Sequence, residues 1–363
     1  MDRTVNDAIK MDGRTFHLER LDAHQWNQVI LEEAFPIVMV CDTNTRVHCL
    51  PLVIEKLGIE KHLIFEIPEG EHSKSLEQCQ KFWEFAAENN LGRQGLIIAI
   101  GGGVVLDFAG FCASVWKRGI AFISIPTSIM AQADAAIGAK TGVNFHQYKN
   151  MLGSFYPPLF VITHFDFLKT LPSRHIKNGK VEIIKHLLLQ EENPWQSIEK
   201  LQKNFDFETW NEVILNSIKF KSSITLEDPF DQGKRKILNL GHTMGHALES
   251  LAFEKEQDLL HGEAVAMGIW IESWLGKELL GYSSAHFDQL YTSLSPYFPD
   301  PFNFDIQWSE IHKYLLADKK NSNEKVHFAL LEKPGHPIWN VELDVNQLEI
   351  YFTDRKIKSI FTP

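Results

Sequence analysis

Uninterrupted apolar runs separated by helical patterns dominate the first half of the chain. Ile37 to Cys41, Leu63 to Phe65, Leu96 to Ile100, Ile120 to Ile125 and Leu159 to Ile162 are each bounded by polar or turn residues. Strands covered on both faces of a sheet read this way. Between them apolar residues recur at helical intervals. The clearest such segment starts near Ser75, where Ser75 and Gln78 have capping-box spacing, and continues through Cys79, Phe82, Trp83 and Phe85. This alternation predicts a mainly parallel sheet. Around Leu171-Pro172-Ser173 the character changes, and from Ile176 to about Ala285 the pattern is predominantly helical, with polar interruptions from Asp228 to Gly233. β-like pieces return at Val326 to Leu330 and Glu349 to Phe352, as cover for the helical half. The expected organisation is an α/β domain over residues 1–172 and a mainly helical domain over residues 173–363.

Composition narrows the function classes. The 363 residues are 44% hydrophobic, enough for one large core or two ordinary ones. A net charge of −11 argues against nucleic acid as a partner while leaving room for a local basic pocket. The four cysteines, Cys41, Cys49, Cys79 and Cys112, show no metal spacing and read as reduced core thiols. Met1 to Leu21 lacks the apolar core of a signal peptide, and no uncharged apolar stretch reaches the roughly 18 residues of a membrane span. The expectation is a cytoplasmic protein without a membrane partner.

Three features carry candidate chemistry. Leu96 to Ile100 runs into Gly101-Gly102-Gly103 and then into the apolar segment Val104 to Val115, a strand, turn and helix. Such a turn lets a ligand approach the backbone and offers helix N–H groups to a pyrophosphate, or it merely packs helix on sheet; it is not the full Gly-x-Gly-x-x-Gly fingerprint. Second, His242 and His246 in Asn239-Leu240-Gly241-His242-Thr243-Met244-Gly245-His246 share one helical face. His261 could be a third ligand and a carboxylate such as Glu182 a fourth, the donor types of a catalytic divalent ion. With sixteen histidines, a structural pair at this spacing is the competing reading. The glutamate of His-Glu-x-x-His is missing, which excludes that metalloprotease pattern. Third, Lys117-Arg118, Lys140, Lys149-Asn150, Lys185, Lys221, Arg235 and Lys319-Lys320 place cations in apolar or glycine-rich surroundings that suit a phosphate or carboxylate pocket. Gly138 to Asn144 resembles part of a phosphate-cradling loop but lacks P-loop spacing.

Taken together, these segments resemble the 3-dehydroquinate synthase family of sugar phosphate cyclases from roughly Val38 to Gly335. The resemblance rests on Glu69 to Lys74, Gly101 to Asp107, Arg118-Gly119, Pro126-Thr127-Ser128, Lys140-Thr141, Lys149-Asn150, Leu168 to Pro172, Glu182 with Lys185, Leu238 to His246, His261-Gly262-Glu263 and Asp318-Lys319-Lys320, in the family's order. It implies a Rossmann-like domain holding NAD, followed by a helical domain holding a divalent metal, zinc or cobalt. By that resemblance Glu182, His242 and His261 are the metal ligands and His246 is a catalytic histidine. NAD contacts would be Glu71, Lys74, Gly101, Gly102, Gly103, Val104, Val105, Asp107, Thr127, Ser128, Lys140, Lys149, Phe167, Leu168, Lys169 and Thr170, with Asp42 and Asn44 near the adenosine. Substrate contacts would be Arg118, Asp134, Lys140, Asn150, Lys185, Lys221, Arg235, Asn239 and one or both of Lys319 and Lys320. The implied reaction converts 3-deoxy-D-arabino-heptulosonate 7-phosphate to 3-dehydroquinate and phosphate, in a homodimer. A sister cyclase of the 2-deoxy-scyllo-inosose or 2-epi-5-epi-valiolone synthase type, or a metal-dependent polyol dehydrogenase, would share the fold. Ala135-Ala136, Ala139, Leu106, Lys180-Val181 and Pro229 depart from the usual family residues.

Overall fold

A computed structural model describes residues 8–11, 14–20, 36–146, 148–203, 207–299, 307–317 and 325–353. The chain divides into two compact units, Met1–Ile176 with Phe207–Phe230, and Lys177–Asp206 with Asp231–Pro363.

The first unit is built on a seven-stranded sheet. Its strands are β1 (Ala8–Met11), β2 (Arg14–Arg20), β3 (Ile37–Asp42), β4 (Leu63–Ile67), β5 (Leu96–Gly101) and β6 (Ala121–Pro126). A separate antiparallel hairpin of β7 (Lys140–Phe145) and β8 (Tyr148–Phe155) precedes β9 (Phe160–Thr163). The order is β1-β2-β9-β6-β5-β3-β4, with only β1 and β2 antiparallel. The five apolar runs are thus five of the parallel strands. Val38, Met39, Ile97, Ile98 and Ile123 are completely buried, since helices cover the sheet. Helices α1 (Thr43–His48), α2 (Leu50–Leu57), α3 (Leu76–Glu88) and α4 (Gly103–Val115) follow β3, β3, β4 and β5. The Ser75 hydroxyl caps α3 by accepting from the N–H of Gln78 at 3.2 Å, as the spacing predicts.

Strand order fixes where a ligand can sit. β3 leads to β4 on one side, yet β5 joins β3 on the other, so the order reverses between β3 and β5. In open α/β sheets ligands bind beyond the carboxyl ends of the strands at such a reversal. Asp42 ends β3 and Gly101 ends β5.

Beyond β9 the chain is mainly helical: α5 (Ser173–Gln190), α6 (Trp195–Gln202), α7 (Phe207–Glu227), α8 (His242–Glu254), α9 (His261–Leu280), α10 (Ser284–Leu294) and α11 (Trp308–Ala317). Of these, α7 belongs to the first unit. A ribbon of β10 (Lys325–Lys333) and β11 (His336–Asp344) and a last helix, α12 (Val345–Thr353), complete the second unit. Val326, Phe328 and Leu330 of β10 join Met244, Leu248, Met267 and Ile271 in its core. The expected strand at Glu349 to Phe352 is instead part of α12, because Leu348 and Phe352, four apart, both bury into that core. The four cysteines are free and buried, as expected. No helix among the described residues is long and apolar enough to cross a membrane.

Candidate functional site

In the second unit, three helices bring one carboxylate and three imidazoles together. Glu182 on α5 is wholly buried. His242 Nε2 on α8 lies 3.7 Å from Glu182 Oε1, and His261 Nε2, the first residue of α9, lies 3.5 Å from the same oxygen. His246, one turn after His242, stacks its ring 5.2 Å from His242 and 5.9 Å from His261. Glu182, His242 and His261 form one group able to hold a metal ion; His246, Glu249 and His261 form another. Lys185, one turn on from Glu182 and equally buried, pairs with its carboxylate.

Glycines set these approaches. A Cβ at Gly268 of α9 would overlap the carbonyl oxygen of Gly241, the residue before His242. A Cβ at Gly262 would overlap the backbone of Asn178, one turn before Glu182, and the Gly262 N–H donates to the Asn178 side chain. The helices therefore touch backbone to backbone where the ligand candidates leave them. Carboxylates orient the rest. Glu249 Oε2 lies 2.8 Å from His261 Nδ1, and the Leu240 carbonyl lies 3.1 Å from His242 Nδ1. The Nε2 atom of each ring is thereby left facing Glu182, the arrangement that fixes an imidazole ligand. Glu272, wholly buried on α9, accepts from the N–H of Gly241 at 2.5 Å and of Met244 at 3.0 Å, capping the helix that carries His242 and His246.

Electrostatics separate the two imidazoles. Burial, then the Lys185 ammonium, pushes His242 well below the usual histidine range, so it is neutral. Burial also disfavours a charged His261, but Glu249 and Glu182 outweigh it and raise its pKa to about 10. Two carboxylates around one ring mark a place that favours positive charge.

In the first unit, the glycine turn closes β5 onto α4. A Cβ at Gly101 would come 2.5 Å from Val105, so this glycine serves the packing of strand on helix. Gly102 and Gly103 would meet only Ser128 Oγ at 3.6 Å and Ala135 at 3.5 Å, ordinary contacts. Gly102 caps α4 and brings no side chain to its free N–H groups. The Thr127 N–H donates to the Gly101 carbonyl at 3.0 Å, and Ser128 Oγ accepts from Ala131 at 3.2 Å. Lys74, 4% exposed, donates to Asp107 Oδ2 at 2.7 Å. Burial raises the Asp107 pKa against the opposing pull of that ammonium. Glu71 accepts from Asn144 Nδ2 at 2.8 Å, and Asn144 Oδ1 accepts from the N–H of Asn150 at 2.9 Å. Asp42 is engaged as the cap of α1, accepting from Thr45, while Asn44 donates to Glu69.

The remaining candidates distribute between the units. Lys221 of α7 reaches Asp134 Oδ2 at 2.8 Å. Arg118 and Lys140 are exposed, the first in the turn Trp116–Arg118 and the second at the start of β7. Lys149 and Asn150 lie on β8. Val104 follows Gly103 on α4, and Val105 beneath it is buried. Phe167, Leu168, Lys169 and Thr170 share the turn Phe165–Thr170, where Phe167 is buried and Lys169 pairs with Asp166 at 2.7 Å. In the second unit, Arg235, 3% exposed, and Asn239 share the turn Lys234–Asn239 just before α8. Lys319 and Lys320 lie outside the described residues.

Comparison with known proteins now bears on this set. The model of the 3-dehydroquinate synthase N-terminal region matches residues 64–178, and that of the C-terminal region matches residues 179–321. A 3-dehydroquinate synthase of Parabacteroides distasonis is 38% identical over 304 residues, 82% of this chain and 85% of its own. The chain belongs to the 3-dehydroquinate synthase family. Another member, from Thermococcus kodakarensis, is 39% identical over 302 residues, 83% of this chain and 84% of its own. Among solved structures, a 2-deoxy-scyllo-inosose synthase complexed with carbaglucose-6-phosphate, NAD+ and Co2+ superposes with a TM-score of 0.82 at 24% identity, covering 96% of this chain and 99% of its own. It shares the fold of this family member, a parallel α/β unit followed by a mostly helical one.

Three supporting residues of this family member escape the sequence reading. Glu249 is three residues after His246 on the same face, and Glu272 is the lone acid in the apolar run Ala264 to Leu275; both signals were available. Asn144 carries no comparable mark, since its role depends on the pairing of β7 with β8.

Proposed function

We propose that this chain is a 3-dehydroquinate synthase that converts 3-deoxy-D-arabino-heptulosonate 7-phosphate to 3-dehydroquinate and phosphate, as a cytoplasmic homodimer. The observation that carries this reading is a wholly buried Glu182 facing the Nε2 atoms of His242 and His261, in a chain 38% identical to synthases of that name. The donor set suits zinc or cobalt: one carboxylate and two imidazoles, each ring held through its other nitrogen. The turn suits the pyrophosphate of NAD, because Gly102 and Gly103 leave space that the protein's own packing does not use.

When bound, the ion acidifies the substrate hydroxyl to be oxidised, and NAD accepts a hydride and returns it within one turnover, so it is not consumed. The chain's residues do the rest. Lys185, Lys221 and Arg235 bind the substrate carboxylate and hydroxyls. Arg118, Lys140, Asn150, Asn239, His246 and Lys319 or Lys320 bind its phosphate. Oxidation makes the neighbouring C–H acidic, and phosphate then leaves from the adjacent carbon. The negative charge growing on the departing oxygens is stabilised by the donors that already hold them. The enol ether then opens and closes by intramolecular aldol addition.

The test is phosphate release from the heptulosonate phosphate, with catalytic NAD and a divalent ion, and no net NADH. Release only from glucose 6-phosphate or only from sedoheptulose 7-phosphate transfers the assignment to a sister cyclase. Steady NADH accumulation with a polyol transfers it to the dehydrogenases.

A further inference from the structure

The phosphate donors of the first unit sit on strained backbone. Lys117, Arg118, Ala139 and Asn150 have φ of 52°, 69°, 56° and 53°. Non-glycine residues held in this region cost on the order of 1–3 kcal/mol each and persist only where their surroundings fix them. Two of the four are themselves donors in the proposed reaction, and the other two immediately precede donors.

Tyr156, the residue after β8, touches both the Arg118 turn and the Lys140 turn. Its hydroxyl donates to the carbonyl of Ile120 at 2.9 Å, and its backbone N–H donates to the carbonyl of Ala139 at 2.8 Å. Its ring stacks on Phe122 with centroids 5.8 Å apart and planes 17° from parallel. Gly119, between Arg118 and Ile120, has φ +108°, and a Cβ there would come 2.8 Å from the Tyr156 hydroxyl. A cavity of about 340 Å³ borders the same turn, lined by Arg93, Gly119, Ile120, Tyr156 and the prolines that follow it. On that side the turn has no packing to hold it, so the hydroxyl bond carries the restraint.

We propose that Tyr156 is a positioning residue that holds the Arg118 turn and the Lys140 turn in register for one phosphate group. It touches neither substrate nor cofactor; it acts through the backbone of Gly119, Ile120 and Ala139. This rests on the function proposed above, which makes Arg118 and Lys140 phosphate contacts.

Tyr156→Phe removes one oxygen and keeps the ring stack. In the full-length holoprotein, inorganic phosphate titrated by calorimetry should bind about five- to tenfold more weakly, the effect of one lost hydrogen bond. KM for the heptulosonate phosphate should rise by the same factor with kcat within about twofold, while NAD affinity and melting temperature stay unchanged. Gly119→Ala should weaken phosphate in the same way, and its effect should be smaller in the Tyr156→Phe background, where the opposing hydroxyl is gone. Unchanged phosphate affinity in Tyr156→Phe overturns the inference. So does a parallel fall in NAD affinity and melting temperature, which would mark general scaffolding, and so does wild-type protein that binds no phosphate. Wild-type protein that binds phosphate but turns over no heptulosonate phosphate sinks the proposed reaction alone, and the phosphate titration still decides the role of Tyr156.

Discussion

The two units build their candidate sites from different parts of the polypeptide. The sheet unit offers mainly main chain: a turn at the end of β5, free N–H groups at the start of α4, and two glycines whose missing side chains leave space for a ligand. The helical unit offers side chains, Glu182, His242, His246 and His261, each buried or half-buried and held by another charged group or a carbonyl. A site made of main chain needs only the right strand and helix, and side-chain changes reach it indirectly. A site made of buried charge depends on every partner, because removing one leaves the others unbalanced in a medium that does not solvate them.

The sharpest test of that contrast is Glu182→Gln. It takes the negative charge from beside Lys185, which is 1% exposed, and from between two imidazoles. Loss of bound divalent ion by elemental analysis and a fall in turnover of about 10³-fold or more are expected, with destabilisation of about 3–5 kcal/mol in urea melts. A variant that keeps both metal and stability would show that the helical site does not depend on its charges.

Next come paired glycine substitutions. Gly268→Ala forces a methyl group into the Gly241 carbonyl, which should cost about 1–3 kcal/mol or more and lower metal content together with stability. Gly102→Ala meets only Ser128 Oγ at 3.6 Å, so the melting temperature should hold while NAD affinity, read by fluorescence titration, falls about tenfold or more. If Gly102→Ala instead unfolds the protein and leaves NAD binding intact, the glycine serves packing rather than a ligand.

Glu249→Gln should be milder. It keeps a hydrogen-bond partner for His261 but removes the charge, and metal affinity by competition with a chelator should drop about 10–100-fold with the fold preserved.

The smallest effect concerns the sheet unit, which holds all four cysteines. Burial pushes the Cys41 and Cys49 thiols up to about 12, from an ordinary value near 9. They should resist aromatic disulfide reagents at pH 8 in the native protein and react within seconds once unfolded. Because the folded values lie above the unfolded ones, their neutral form supports folding below about pH 9, and that support is lost as pH rises towards 12. Rapid native-state labelling at pH 8 would contradict this.

Much of the sheet unit was legible because strands buried on both faces leave runs such as Leu96 to Ile100 that nothing else explains. The β7–β8 hairpin was not, since Gly138 to Asn144 reads as a loop until Thr141 and Gly142 pair with Ser154 and Gly153. Glu349 to Phe352 misled for the opposite reason. Its residues favour strands locally, but the four-residue spacing of Leu348 and Phe352 suits the core better as a helix. In the helical unit, spacing alone drew His242 and His246 together and left open which of them faces a carboxylate. That depends on Glu182, sixty residues earlier, and on glycine contacts between helices that no periodicity records.

The capping of α8 by Glu272 has a further consequence. A helix that begins with two histidines and no side chain of its own to satisfy its first turn would be a poor starter in isolation. By borrowing both carboxylate oxygens from α9, it can wind only after its neighbour has docked. The imidazoles are therefore assembled by the act of folding, and an incoming cation finds a finished receptacle instead of loose ends to gather, so loading should be fast and leave the secondary structure untouched.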